Sequence, residues 1–105
     1  MKLQLTTLAE SDLDDAAAFY EDQEAGLGDE VVNFLLAQIH ELEHFAGIHR
    51  KKRATYQWVT RGKFPYYVIY YRIMDETVLV EAVLDHRRDP KWIRRTMRDR
   101  NNPLS

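Results

Sequence analysis

The sequence predicts an α+β fold of two layers, a helical hairpin lying on one face of a mostly antiparallel sheet. Three observations carry the prediction. Residues 56–85 contain period-two runs rich in tyrosine, valine and isoleucine, the composition of paired strands. Residues 11–46 show apolar spacing of three and four, interrupted once by AGLGDE. The opening KLQLTT alternates Leu3 and Leu5 with polar neighbours, as a half-buried strand does.

The elements follow in order. After the first strand, Ser11 precedes Asp14 and Asp15 in a capping-box-like arrangement, which predicts a helix over about 11–24. Leu13, Ala16, Ala17 and Tyr20 form its inner stripe. Gly26 and Gly28 permit a tight turn with positive φ, and Asp29 is placed to cap a second helix that runs to Phe45 or Ala46. Val31, Val32, Leu35, Ile39, Leu42 and Phe45 should face inward, and Gly47 should stop the helix. So short a turn makes the two helices an antiparallel hairpin. A basic loop, HRKKRA, leads into a strand around Tyr56, Trp58 and Thr60. RGKFP connects it to YYVIYYRI, and a turn at Met74-Asp75-Glu76 returns the chain into TVLVEAVLD. These make a three-stranded antiparallel meander. Asp89 and Pro90 read as cap and first residue of a short C-terminal helix, PKWIRRTMRDR, with Trp92, Ile93 and Met97 inward. The tail NNPLS is expected to fray. No repeat or linker is visible, so residues 1–105 read as a single domain.

Composition narrows the classes of function. At 45% apolar and 30% charged residues, the chain is globular, with no apolar run long enough to span a bilayer. The start MKLQLTTLAESDLDD has no signal-peptide pattern, and with no cysteine there is no disulfide, thiolate nucleophile or zinc–thiolate site. A cytoplasmic location is the expectation. The net charge of −2 hides a split. Residues 1–49 carry one base and 11 acids, whereas residues 50–105 carry 14 bases and 6 acids, so the halves stand at about −10 and +8. Such a split points to a face that meets a polyanion or an acidic protein; two halves that neutralise each other across a packed interface are the plainer alternative.

Conventional sites are weakly represented. His40 and His44 stand four apart, where they could share a metal, but no third ligand is evident, so they read as polar-face residues. AGLGDE is no phosphate cradle, and no serine sits in a nucleophile elbow. Neither a metal nor a cofactor is expected. The basic positions remain: Arg50 to Arg53; Arg61 and Lys63; and Arg87, Arg88, Lys91, Arg94 and Arg95 around LDHRRDPKWIRR. With Arg72, they should converge beside exposed tyrosines on the sheet face that the helices leave open, the footprint of a phosphate-backbone binder. Were the cluster a nuclease, His86 is the side chain there able to move a proton near neutrality, with arginines stabilising the phosphoryl transition state. A hydrogen-bonding role in the strand-to-helix turn is the plainer alternative for it.

FYEDQEAGLGDE, RGKFPYYVIYYRI and VLVEAVLDHRRDPKWI, in this order and spacing, resemble the RelE/ParE superfamily of toxins from bacterial type II toxin–antitoxin modules. The resemblance covers nearly the whole chain. It implies a RelE-like fold, a cognate antitoxin that binds and neutralises the toxin, and assembly into an oligomer within that complex. In the RelE-like branch, which cuts mRNA on the ribosome without a metal, Arg87 matches an essential arginine. Two lysines expected on the first meander strand fall at Gln57 and Val59. An arginine falls near Tyr67 and a catalytic tyrosine near Ile93. FPYYVIYY and HRRDP look more like the ParE-like branch, whose members act on DNA gyrase and inhibit growth. The resemblance therefore favours a ParE-like toxin in which Arg61, Lys63, Arg72, Arg87, Arg88, Lys91, Arg94 and Arg95 contact target or antitoxin. The alternatives are a ribosome-dependent endoribonuclease using Arg87 and His86, and a non-toxic module that only binds antitoxin.

Overall fold

The computed structural model describes residues 1–101. It contains β1 (Lys2–Leu5), α1 (Thr7–Gln23), α2 (Leu27–Phe45), β2 (Arg50–Lys52), β3 (Thr55–Val59), β4 (Tyr67–Met74), β5 (Thr77–Asp85) and α3 (Pro90–Asn101). The sheet order is β1-β5-β4-β3-β2. β1 lies parallel to β5, and every other pair is antiparallel. This is the α+β architecture expected from the sequence. Of the tail expected to fray, Asn101 is the last residue of α3, and the rest lies outside the described residues.

The helical hairpin starts earlier than the apolar spacing suggests. Thr6, not Ser11, caps α1: its Oγ1 accepts from the Ala9 N–H at 3.0 Å. A hydroxyl directly behind β1 satisfies the first free N–H groups, so nothing holds the helix back until residue 11. Asp29 likewise lies inside α2, whose N-cap is Gly26 at φ +89°. The Glu21 carboxylate takes the capping role, accepting from the N–H groups of Gly26 and Gly28 at 3.0 and 3.1 Å. Gly28 is helical rather than left-handed, and is required for another reason. A Cβ there would stand 2.7 Å from the Ala17 carbonyl, so α1 and α2 cross backbone to backbone.

The main core lies between this hairpin and one sheet face. Val31, Leu35, Ile39 and Leu42 of α2 meet Ile69, Tyr71, Val78 and Val80 of the sheet, all essentially without exposure. Each contributes roughly 1.5–3 kcal/mol on burial. Phe45, expected inside, is 54% exposed because the helix ends there and its stripe has passed the sheet edge.

Two features of the sheet depart from the expectation. Residues 50–52 form an edge strand rather than a loop, with Arg50, Lys51 and Lys52 opposite Gln57, Tyr56 and Thr55. Charge had concealed the strand, yet lysine and arginine suit a solvent-facing edge. More consequentially, the second face is not open. α3 packs on it through Met97, Trp92 and Ile93 against Val68, Tyr70, Ala82 and Leu84. Tyr70, expected to be exposed, is 7% exposed beneath the helix. The apolar content of β4 on both faces required such a cover.

Candidate functional site: a divided basic surface

The cations do not assemble into one open platform. Several are tied to acids, some of them from the acidic first half. Lys63 pairs with Glu30 at the start of α2. Arg72 donates to Glu81 at 2.9 Å and to Asn101 at 3.0 Å. Glu81 is the extra residue of a β-bulge, since Tyr70 and Tyr71 pair with Ala82 and Val80. Burial pushes the Glu81 carboxyl upward, against the pull of Arg72 and Arg100. Arg100 binds Asp12 of α1, whose Oδ2 also accepts from the Val83 N–H at 2.9 Å. The charge split of the sequence is thus partly spent inside the fold.

The strand exit at 85–95 keeps its cations at the surface. Asp85 accepts from the Arg87 N–H at 2.9 Å and from Arg87 Nη2 at 2.7 Å. Burial raises the Asp85 carboxyl, but these Arg87 bonds outweigh it and hold it below the ordinary aspartate range. The same bonds push the Arg87 guanidinium upward. Arg87 also lies 4.0 Å over the Tyr66 ring, and Arg88 lies 3.6 Å over Trp92. Stacking fixes both guanidinium planes while leaving much of their edges to solvent. Asp89 caps α3 as expected, accepting from the Lys91 N–H at 2.9 Å. Lys91, Arg94 and Arg95 are exposed on the helix that follows, Arg61 is exposed in the β3–β4 loop, and His86 is exposed beside Arg87. His86 donates its backbone N–H to the Tyr66 carbonyl at 2.8 Å.

Two grooves flank α3. One, of about 480 Å³, runs between α1 and the strand exit, with Phe19, Trp92 and Leu84 as apolar wall and Arg87, Arg88 and Asp15 at its rim. The other, of about 730 Å³, lies between the β2–β3 hairpin and α3. Gln57 and Ile93, two positions where a nuclease of the resembling branch needs reactive groups, both line it. Val59 is exposed on the same strand. Tyr67 is buried, and burial drives its phenol far above the ordinary range, so it is a poor proton donor.

His49, which by sequence reads with His40 and His44 as a polar-face residue, has a structural role. Its ring stacks on Trp58 at 4.7 Å, and its Nδ1 lies 2.5 Å from the Tyr71 hydroxyl, which accepts from the Gly47 N–H at 2.9 Å. This ties the α2–β2 connection to the sheet. Residues 40–44, His-Glu-Leu-Glu-His, spell the H-E-x-x-H pattern of metalloprotease helices. Both histidines are exposed, and among the described residues no group of three potential ligands converges. Among those residues also, no helix is long and apolar enough to cross a membrane.

The chain is thus a small α+β fold with arginines stacked on aromatics at a strand exit and grooves on both sides of its last helix. A family model described as the ParE toxin of the type II toxin-antitoxin system, parDE, matches residues 3–90, and the chain belongs to that family. Among solved structures, one described as the chromosomal ParDE TA system from P. aeruginosa superposes with a TM-score of 0.72. It is 17% identical, and the match covers 79% of this chain and 92% of that one, a likeness of fold. No curated protein matches the chain.

Proposed function

We propose that this ParE-family chain arrests growth by binding DNA gyrase and is neutralised by a cognate antitoxin. The supporting observation is the chemistry at four positions. Gln57, Val59, Tyr67 and Ile93 stand where an mRNA-cutting relative would carry two lysines, an arginine and a tyrosine. An amide, two aliphatic side chains and a buried phenol with a raised pKa supply neither charge stabilisation nor a ready proton. Arg87 has its Nε and Nη2 engaged by Asp85. Binding therefore accounts for toxicity better than catalysis does.

The docking surface in this proposal is the strand exit and the outer side of α3: Arg87, Arg88, Lys91, Arg94 and Arg95, with Arg61 and Lys63 as a separate outlying pair. An antitoxin segment carrying acids and apolar anchors would lay acids against Arg88 and Lys91 and seat an apolar side chain by Phe19 and Trp92. It would be ordered only as it binds. Arg72 is tied to Glu81 and contributes to the fold first.

The test is a supercoiling and cleavage assay of gyrase with the purified protein, alongside primer extension on a translated mRNA. Inhibition of supercoiling without mRNA cuts is expected, and cognate antitoxin should reverse it. Codon-positioned cuts abolished by Arg87→Ala would establish the ribonuclease reading instead. Normal growth after induction without any partner would leave a module that only binds antitoxin.

A further inference from the structure

We propose that the groove between the β2–β3 hairpin and α3 binds single-stranded nucleic acid through its phosphate backbone, without cutting it. This goes beyond the gyrase proposal and stands or falls separately, because it concerns the isolated chain.

Charge is the first ground. Lys52, Arg53, Arg72, Arg94 and Arg98 line one groove of about 730 Å³, and among the described residues no carboxylate lines it. That is a marked local excess in a chain with 17 acids and a net charge of −2. Arg72 is neutralised by Glu81, but the other four form no ion pair among the described residues. They stand as two walls. Lys52 and Arg53 sit on the hairpin tip, while Arg94 and Arg98 share one side of α3 at a spacing of four. Like charges so spaced weaken a helix, and although the dipole favours Arg98 in the last turn, it gives no reason for Arg94 in the turn before.

Backbone conformation is the second, independent ground. Arg53 has φ +58°, in the left-handed region that favours glycine. A two-residue hairpin turn would be built most easily with glycine there. Arginine in its place keeps a strained turn and puts a guanidinium at the groove mouth, the pattern of strain held at a working position.

The lining favours a nucleic acid over an acidic peptide. Its apolar members are already used: Tyr70 and Met97 are 7% and 9% exposed, and Ile93 is packed in the second core. That leaves little for an apolar anchor, whereas Gln57 and Asn101 offer amides to sugar hydroxyls and base edges. Arginine forks fit phosphate oxygens in pairs.

Fluorescence anisotropy of a labelled single-stranded oligonucleotide with the purified chain tests this. Four phosphates neutralised on a single strand give a log–log salt slope of about −2.8, or a weakening of about fiftyfold between roughly 50 and 200 mM salt. Arg94→Glu combined with Arg98→Glu should weaken binding at least about tenfold by removing two of those contacts. Lys2→Glu, on the opposite edge strand, should change it by less than about twofold, as for a charge away from the contact. Arg53→Gly relieves the turn, so it retains the fold and should flatten the slope by about 0.7. Salt dependence under about fivefold, or groove variants that behave like Lys2→Glu, overturns the proposal. Polyglutamate competing as well as the oligonucleotide per charge overturns it in favour of an acidic peptide. Tighter binding of duplex places the contact on the outer surface and overturns it too.

Discussion

Arg100 and Asp12, 88 positions apart, form a two-pronged ion pair, with Nη1 2.5 Å from Oδ2 and Nη2 2.8 Å from Oδ1. The side chains are 13% and 7% exposed, and Arg100 Nη1 also donates to the Glu81 carbonyl at 3.1 Å. The pair fastens α3 to α1 around the edge of the sheet. Removing one partner strands the other as a buried charge. Asp12→Ala is expected to cost about 3–5 kcal/mol, which lowers the melting temperature by more than about 10 °C. Replacing both residues by leucine should recover much of that loss. A single variant melting within about 3 °C of the parent would contradict the assignment.

Glu81 and Asp85 give opposite pH dependences. Burial raises Glu81 above its ordinary value of 4.5, so the folded chain keeps a proton that the unfolded chain has lost. Its contribution to stability therefore declines as pH rises from 4.5 through its folded pKa. Asp85 is held below 3.8 by Arg87 despite burial, so its contribution is present above 3.8 and lost as pH falls beneath it. Denaturant melts across pH should show Glu81→Gln flattening the first slope and Asp85→Asn the second.

His49 adds a third titration. Burial lowers it from 6.5, consistent with a neutral ring that accepts the Tyr71 hydroxyl hydrogen. Stability from the neutral ring is full above 6.5 and is lost as pH falls through the lowered value. His49→Phe retains the stack on Trp58 and should remove that acid-side loss. Hydrogen exchange at residues 50–52 is the local readout, and an unchanged acid response in the variant would place the titration elsewhere.

Gly28 sets the approach of the two long helices. Gly28→Ala drives a methyl against the Ala17 carbonyl, a contact of 2.7 Å before relaxation. Overpacking of this kind costs about 1–3 kcal/mol. Gly26→Ala meets no neighbour and pays only for its left-handed φ of +89°. Thermal melts should therefore rank Gly28→Ala as the more damaging, and the reverse order would mean that the hairpin can spread without loss.

Arg88 is the position at which the proposed docking can be tested apart from folding. Its guanidinium touches the Trp92 ring and carries no ion pair among the described residues. Arg88→Glu should abolish growth arrest while moving the melting temperature by no more than about 3 °C, as surface changes generally do. Arg87→Glu removes the bond to Asp85 and should do both. A large loss of stability in Arg88→Glu would make this arginine structural.

The strands and helices were legible because their apolar periods are strong: Val31, Leu35, Ile39 and Leu42 on one side, Tyr67, Ile69 and Tyr71 on the other. Helix starts were less so. Thr6 and Glu21 cap through tertiary placement that spacing does not encode, and Ser11 and Asp29 offered more familiar local patterns. β2 was hidden because a charged edge strand has no apolar alternation to display. The proposed docking surface was legible as a list of cations but not as a geometry. Glu30 and Asp12 neutralise partners far away in sequence, and although β4 is apolar on both faces, that pattern does not say that α3 supplies the second cover over Tyr70. Arg98 went unselected for function, and Arg53 was read only as part of the basic run 50–53, although it sits at a turn position where glycine would be expected.

The parallel pairing of β1 with β5 also constrains the order of events on the ribosome. Leu3 and Leu5 cannot enter the sheet until Val78 and Val80 have left the exit tunnel, and Asp12 must wait for Arg100. Everything from β1 through Arg100 must therefore emerge before the nascent molecule can close around its first strand and helix.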